Sequence, residues 1–424
     1  MRHGLQNRPL LEKRPARAAI GGQDPQTGSE GGKQVRAYLD HNASAPLGAE
    51  ARDAMLAALG MCGNASSVHA EGRAARAIVE KARRQLAEAV GVSAGQVVFT
   101  SGASEAAAHA LSPLLRVGGN EIPVSRLYVG ATEHACVLAG GRFSPEAVEI
   151  LPVDASGMLD IAALERALAA HDMTAGSPMV AIQLANNETG VIQPMEKIAG
   201  LVHAHDGFVV VDAVQALGRI PFSARELGAH FVLLSSHKIG GPQGAGALIL
   251  ANGTISPVAL IRGGGQESFN RAGTENVAAI AGFGAAAAVA AQSAGEMGAI
   301  AMLRDSIETG ITTICGEAGN KAGAPVFFGR DAAGGRLANT SCFAVPGIKA
   351  ETALISLDLA GIAVSSGSAC SSGKVKKSHV LEAMGVDDEL AACALRVSAG
   401  SQTTGSDAEA FLGAFRNIVT RIAA

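Results

Sequence analysis

The sequence predicts an α/β protein with one large, mainly parallel, seven-stranded wound sheet and a smaller α+β lobe after it. Three observations carry this prediction. Short apolar runs alternate with helix-period segments from Val35 onward. Polar residues capable of chemistry stand at the C-terminal ends of those runs, where wound sheets bind ligands. After about residue 294 the pattern changes to helix, strand, helix, strand, helix. The composition agrees: 424 residues, 48% of them hydrophobic and 17% charged, make a globular chain with a sizeable core. The 53 glycines and the absence of Trp suggest glycine-rich ligand loops over a core of small aliphatic side chains.

Residues 1–36 hold Arg2, Arg8, Lys13, Arg14 and Arg17 ahead of GGQDPQTGSEGGK, and no apolar run there is long enough for a secretory signal. A disordered leader is expected, with a weak transit peptide as the alternative. Strands are expected at Val97–Thr100, Leu127–Ala131, Val148–Val153, Met179–Ala185, Phe208–Asp212, Phe231–Ser235 and Ala245–Leu250. Between them lie helices such as Ala74–Val90, where Ile78, Ala82, Leu86 and Val90 share one face. An Ala-rich helix after Asn276 is too short and too weakly hydrophobic for a bilayer span and reads as buried. The later strands are Asn339–Val345, Ile362–Ser366 and Leu395–Ser398, with a helix beginning near Ser378. The net charge of −4 offers no broad positive field for nucleic acid or an anionic membrane. Six dispersed cysteines without CxxC spacing indicate neither a disulfide framework nor a zinc site, so a reducing, cytoplasmic setting is expected. His203 and His205 read as a solvated turn rather than a metal site.

The chemistry centres on Lys238 in LLSSHKIGGPQGAGAL, directly after an apolar strand and before a glycine-rich turn. A lysine shielded there, beside His237, has its pKa lowered enough to form a Schiff base. Asp212 ends the strand Phe208–Val211, and Gln215 follows it. Pyridoxal phosphate needs such a carboxylate to keep its ring nitrogen protonated, although a helix N-cap is the plain alternative. In SGASE, Ala103 and Ser104 open a helix whose free N–H groups suit a phosphate, or form an ordinary cap. His134 in ATEHACV and Asn187 in ANNETG follow two further strands, as ring contacts or as a core histidine and a turn asparagine. Each signal is weak alone; their order at successive strand ends is specific.

Cys370 stands in the Ser/Gly-rich run AVSSGSACSSGKVKKSH, which offers it nothing to pack against, and Lys374, Lys376 and Lys377 nearby favour its thiolate. The remaining cysteines, Cys62, Cys136, Cys315, Cys342 and Cys393, read as small buried hydrophobes. Arg396, inside the apolar strand of ACALRVSAG, calls for a partner: a substrate carboxylate or a structural ion pair.

Together these segments resemble the cysteine desulfurases of the class-V aminotransferase superfamily, which have the type I pyridoxal phosphate transferase fold. The resemblance spans roughly residues 37 to 420 and rests on YLDHNASAP, GNASSVH, FTSGASE, TEHACV, NNETG, VDAVQALG, SSHKIGGPQGAGAL, RAGTEN, SSGSACSSG and LRVSAG, in family order. It implies that Lys238 carries pyridoxal 5'-phosphate, that Asp212 pairs with its ring nitrogen and that His134 stacks on the ring. It further implies Gln215 and Asn187 at the ring hydroxyl or substrate, and Ala103, Ser104, Ser235 and His237 at the phosphate. Thr274 of RAGTEN would be supplied by the other subunit of a homodimer. Arg396 would hold the carboxylate of L-cysteine, and Cys370 would take its sulfur as a persulfide for a sulfur-acceptor protein. The extended run after SSGSAC is similar to the class serving iron–sulfur cluster assembly. The implied division is a cofactor-binding domain at 48–293 and a smaller domain from 37–47 and 294–424. Ser104 stands where threonine is common. An aminotransferase or a selenocysteine lyase on the same fold are the rival enzymes.

Overall fold

The computed structural model describes residues 36–295, 297–319, 323–366 and 377–423. All of the expected leader except Arg36, and Cys370 with its surrounding run, lie outside the described residues. In chain order the strands are β1 (Ala37–Tyr38), β2 (Val97–Thr100), β3 (Leu114–Val117), β4 (Asn120–Gly130), β5 (Val148–Leu151), β6 (Ser177–Gln183), β7 (Phe208–Asp212), β8 (Phe231–Ser235), β9 (Gly246–Leu250), β10 (Ile255–Pro257), β11 (Val326–Phe328), β12 (Thr340–Ala344), β13 (Ile362–Ala363), β14 (Ser365–Ser366) and β15 (Ala394–Ser398).

All seven strands expected in the large sheet are present, but the sheet has nine strands rather than seven. The two extra ones, β3 and β10, extend one side in antiparallel pairing. The missed signal is Gly118-Gly119, both at positive φ (55° and 91°), which closes a tight hairpin between β3 and β4. Strands β5, β4, β6, β7 and β8 run parallel. β9 is antiparallel to both β8 and β2, so β2 regains the common direction.

The central strands are apolar throughout because both faces are covered. Val209, Val211, Val232 and Leu234 face one cluster, with the helices Ala70–Ala89, Met195–His203 and Val277–Ser293. Phe208, Val210, Phe231 and Leu233 face the other, with helix Ala103–Ala110. The expected helix at 74–90 runs from Ala70 to Ala89, and its core face is Ala75, Val79, Ala82 and Leu86, leaving Ile78 half-buried. The Ala-rich helix is buried as expected, and its small residues have a packing reason. A Cβ at Gly284 would lie 2.5 Å from the Ala82 Cα, so only glycine lets these two helices approach so closely. Among the described residues, no single helix is long and apolar enough to cross a membrane.

A second sheet, antiparallel in the order β11-β12-β15-β14, holds the later expected strands, with the predicted Ile362–Ser366 strand divided at Val364 into β13 and β14. β13 pairs with β1, and Asp40 bridges to Ser398, bringing the YLDHNASAP segment against β15. Its core of Leu39, Ile311, Phe343, Phe411 and Phe415 is formed with helices Gly298–Glu317 and Gly405–Ala423. Ser378 caps the helix His379–Ala383 by accepting from the Leu381 N–H, the start expected from sequence.

Candidate active site

Because β4, β6, β7, β8 and β2 share a direction, the segments after them converge on one sheet edge. There they line a cavity of about 370 Å³. The structure brings Ala103, Ser104, His134, Asn187, Asp212, Gln215, Ser235, His237, Lys238 and Arg396 to its wall, all of them picked out from sequence. Thr274 is not on that wall. It lines an adjoining hollow of about 230 Å³ that shares Ser101, Gly244 and Ala245 with the first.

Lys238 ends a short helical turn after β8, and Gly240, at φ 81°, then reverses the chain in a conformation that favours glycine. Lys238 Nζ donates to the carbonyls of Asn42 (2.7 Å) and Ala43 (2.9 Å). Burial, then the charges of Arg219 and Arg396, push its pKa down to about 8. Asp212 Oδ1 accepts from the Val214 N–H at 2.9 Å. Burial raises the Asp212 pKa, with His134 and Lys238 acting against it. Burial lowers His134, and it lowers His237 to about 4, with Lys238 adding to the latter.

The FTSGASE turn is built for close approach. Helix Ala103–Ala110 starts on Gly102 without a side-chain cap, and a Cβ at Gly246 on the neighbouring strand would lie 2.5 Å from the Gly102 carbonyl carbon. Glu105 steadies the turn by accepting from the Ser101 N–H at 2.8 Å and pairing with Arg271 at 2.9 Å. In NNETG the turn is made by Asn186, whose Oδ1 accepts from the N–H groups of Glu188 and Thr189. Arg396, 2% exposed, stands on the cavity wall and donates to the Asn187 carbonyl at 2.9 Å and to Asp40 at 2.8 Å. Its Nε is buried without a partner among the described residues.

Four participants escaped the sequence reading. Asn42 supplies a carbonyl to Lys238 and to the Gln215 amide (3.0 Å), and its own amide reaches the Asn187 carbonyl at 3.1 Å. Arg219 is buried with no carboxylate partner among the described residues, bonded to the Gln215 side chain and to the carbonyls of His41 and Lys238, and burial lowers its pKa to about 9. Its position four residues after Gln215 in VDAVQALGR was the available signal. Glu133 is fully buried, accepts from the Gln183 N–H at 2.8 Å, and is pushed far up by burial. The sequence makes Cys136 a small buried hydrophobe. It instead lines the cavity, half-buried, with Sγ 3.0 Å from His134 Nδ1. Cys62 is likewise a correction, being exposed, whereas Cys315, Cys342 and Cys393 are buried as expected. Lys377, expected to favour a thiolate, is engaged by Asp388 at 2.7 Å and Glu382 at 3.1 Å.

The donor set fits pyridoxal phosphate. A shielded amine is pushed towards neutrality, a buried carboxylate stands on the same wall, and an uncapped helix start lies where glycine leaves space beside the turn.

The aminotransferase class-V family profile matches residues 37–411. A cysteine desulfurase of Cereibacter sphaeroides is 40% identical over 397 residues, covering 92% of this chain and 97% of that protein. The cysteine desulfurase IscS of Dictyoglomus turgidum is 35% identical, covering 91% and 95%. Among solved structures, a NifS-like protein from Rickettsia africae superposes with a TM-score of 0.78 at 32% identity, covering 90% of this chain and 99% of that one. The chain therefore belongs to the aminotransferase class-V family, within its cysteine desulfurases.

Proposed function

We propose that this protein is a pyridoxal-phosphate-dependent cysteine desulfurase that converts L-cysteine to L-alanine and carries the sulfur as a persulfide on Cys370. The observation that carries the reading is the single cavity holding Lys238, Asp212, His134 and Arg396 in a chain whose relatives are cysteine desulfurases. When bound, pyridoxal phosphate is the electron sink for the substrate carbon next to the amine.

The residues divide the remaining work. Lys238, held near neutrality by burial and Arg219, binds the cofactor and moves the Cα proton. Asp212 retains the proton on the ring nitrogen. Ala103, Ser104, Ser235 and His237 hold the phosphate, Gln215 and Asn187 orient the ring and substrate, and Arg396 orients the substrate carboxylate. His134 handles the proton of the substrate thiol. The Cys370 thiolate then attacks the substrate sulfur, so the C–S bond breaks as an S–S bond forms and the bonding pair returns to carbon. One of the two thiol protons ends on the alanine methyl group and the other on the persulfide, and no outside oxidant is needed.

The working unit in this reading is a homodimer in which Thr274 serves the partner's phosphate site. Its support is the exposure of the large apolar side chains Leu56, Leu59, Val68 and Phe269, the last on a segment tied to Ser66 by Gln266. Separate apolar cores support a cofactor-binding domain at 48–293 and a smaller one from 37–47 and 294–424. Iron–sulfur cluster assembly is the proposed destination of the sulfur, supported by the IscS relatives. Free thiols at Cys62, Cys136, Cys315, Cys342 and Cys393 suit a cytoplasmic location.

The test is incubation of purified protein with L-cysteine and a thiol reductant, recording the visible spectrum, sulfide and alanine beside Cys370→Ala. Yellow protein giving equal sulfide and alanine, with both lost in the variant, is expected. A yellow protein that releases neither, or one indifferent to Cys370, refutes the persulfide route.

A further inference from the structure

Arg396 stands in the middle of β15, a strand buried along its whole length, in register with Cys342 of β12 and Ser365 of β14. A guanidinium so shielded from bulk water must have its charge met by the protein or by a ligand. Among the described residues a single carboxylate lies within ion-pair distance, that of Asp40, whose Oδ1 accepts from one terminal nitrogen at 2.8 Å. The Asn187 carbonyl accepts from the other terminal nitrogen at 2.9 Å. These contacts use two of the five N–H groups that a guanidinium offers. Asp40 is itself fixed in place. Its Oδ2 accepts from the Ser365 hydroxyl at 3.0 Å, its backbone bridges to Ser398, and its carbonyl accepts from the Ala43 N–H at 3.0 Å. Arg396 lines the cavity and Asp40 does not, so a ligand entering the cavity meets a guanidinium already paired from outside it.

We propose that Asp40 is a positioning residue that tempers the grip of the site on a carboxylate: its pairing with Arg396 leaves a ligand only part of the guanidinium charge and the N–H groups that remain. The functional part rests on the desulfurase reading, in which Arg396 orients the carboxylate of L-cysteine. L-Alanine, the product in that reading, carries the same carboxylate. Arg396 therefore holds substrate and product alike, and binding shared by both adds nothing to turnover once the site is filled. A bare guanidinium in so dry a place would hold both too long. The like charge of Asp40, pinned on the same guanidinium, weakens both to the same degree and lets alanine leave.

The experiment compares the cofactor-loaded wild type with Asp40→Asn, which keeps the shape and an oxygen for Arg396 while removing the charge, and with Asp40→Ser, which removes the charge with less bulk. Each is titrated with propionate, which is alanine without its amine and so cannot react with the cofactor, and with propionamide, its uncharged counterpart of the same shape. Ligand-observed NMR reads both dissociation constants. Taking a like charge off the shared guanidinium should tighten propionate about 3- to 30-fold in both variants and leave propionamide within about twofold. A fixed propionate concentration should also raise Tm more in the variants than in wild type. Turnover is the poorer readout, because burial, Arg219 and Arg396 lower the Lys238 pKa while Asp40 acts against them, so kcat responds to Asp40 by a second route. Propionate bound no tighter in the variants, or bound more weakly, overturns the proposal and leaves Asp40 as a brace for Arg396. So does an equal gain for propionamide, which would assign the effect to cavity shape. If wild type releases no sulfide from L-cysteine, the desulfurase reading fails, while the propionate comparison still decides whether Asp40 tempers Arg396.

Discussion

The turn that opens helix Ala103–Ala110 can be perturbed without touching any side chain proposed to take part in the chemistry. Gly246 begins β9, paired with Thr100 on one side and Ser235 on the other. A methyl group there would sit 2.5 Å from the Gly102 carbonyl carbon, 2.6 Å from its Cα and 2.9 Å from the Ala103 nitrogen. All three are backbone atoms, so no side chain can swing away. Restoring ordinary carbon–carbon contact requires the turn to retreat by roughly 1 Å. β9 is held on both sides by its neighbours, whereas the turn faces the cavity, so the turn is the part that yields. Overpacking of this kind costs about 1–3 kcal/mol. Bound phosphate must have the turn in its original place, so that cost falls on cofactor affinity, about 5- to 150-fold in Kd. The assay is fluorescence or absorbance titration of Gly246→Ala with pyridoxal phosphate, beside thermal unfolding of the cofactor-free protein. A raised Kd with Tm nearly unchanged is expected. An unchanged Kd, or a fall in Tm with no change in Kd, would show that the strand yields instead and would refute the reasoning.

Two further predictions concern stability. Glu188 Oε2 accepts from Ser378 at 2.6 Å, and burial raises the Glu188 pKa to about 7. The folded state therefore keeps this proton longer than the unfolded one, so stability is complete below about pH 4.5 and is lost as pH rises through about 7. Glu188→Gln removes that loss and should be more stable than wild type at pH 8 by about 1–3 kcal/mol, with a smaller difference near pH 5, as read by denaturant unfolding at both pH values. Glu267 lies in a segment whose residues Glu267, Ser268 and Phe269 are all left-handed, and it accepts from Arg83 at 2.6 and 2.8 Å and from the Phe99 N–H at 2.9 Å. Glu267→Ala leaves the Arg83 guanidinium only the partly exposed Glu80 (3.1 Å) as a carboxylate partner and strands the Phe99 N–H, so it should destabilise by about 1–3 kcal/mol, whereas Arg83→Met with Glu267→Met should recover much of that; equal unfolding of the single and double variants would count against it.

The wound sheet was legible because parallel strands covered on both faces must be apolar throughout, and runs such as FVVVD and FVLLS have no other use. The wall residues were legible for a related reason. Only a strand end exposes polar side chains beside an apolar core, so Asp212, His134 and Lys238 stood out against their neighbours. The β3–β10 extension was missed because its strands are short and partly solvated, and its one clear sign was the glycine pair at 118–119.

The sequence by itself determined the fold class, the order of the wall residues and the family, since these depend on periodicity and on residue types at strand ends. Only the tertiary structure decided who partners whom. Asp40 lies 356 positions before Arg396, and the ion pair between them follows from β1 joining β13 and Asp40 bridging to Ser398. Cys136 lines the cavity while Cys315, Cys342 and Cys393 fill cores, because a thiol has the same letter wherever the fold carries it. Hydrogen-bond partnership is a matter of distance and direction, and those exist only once the chain has closed on itself.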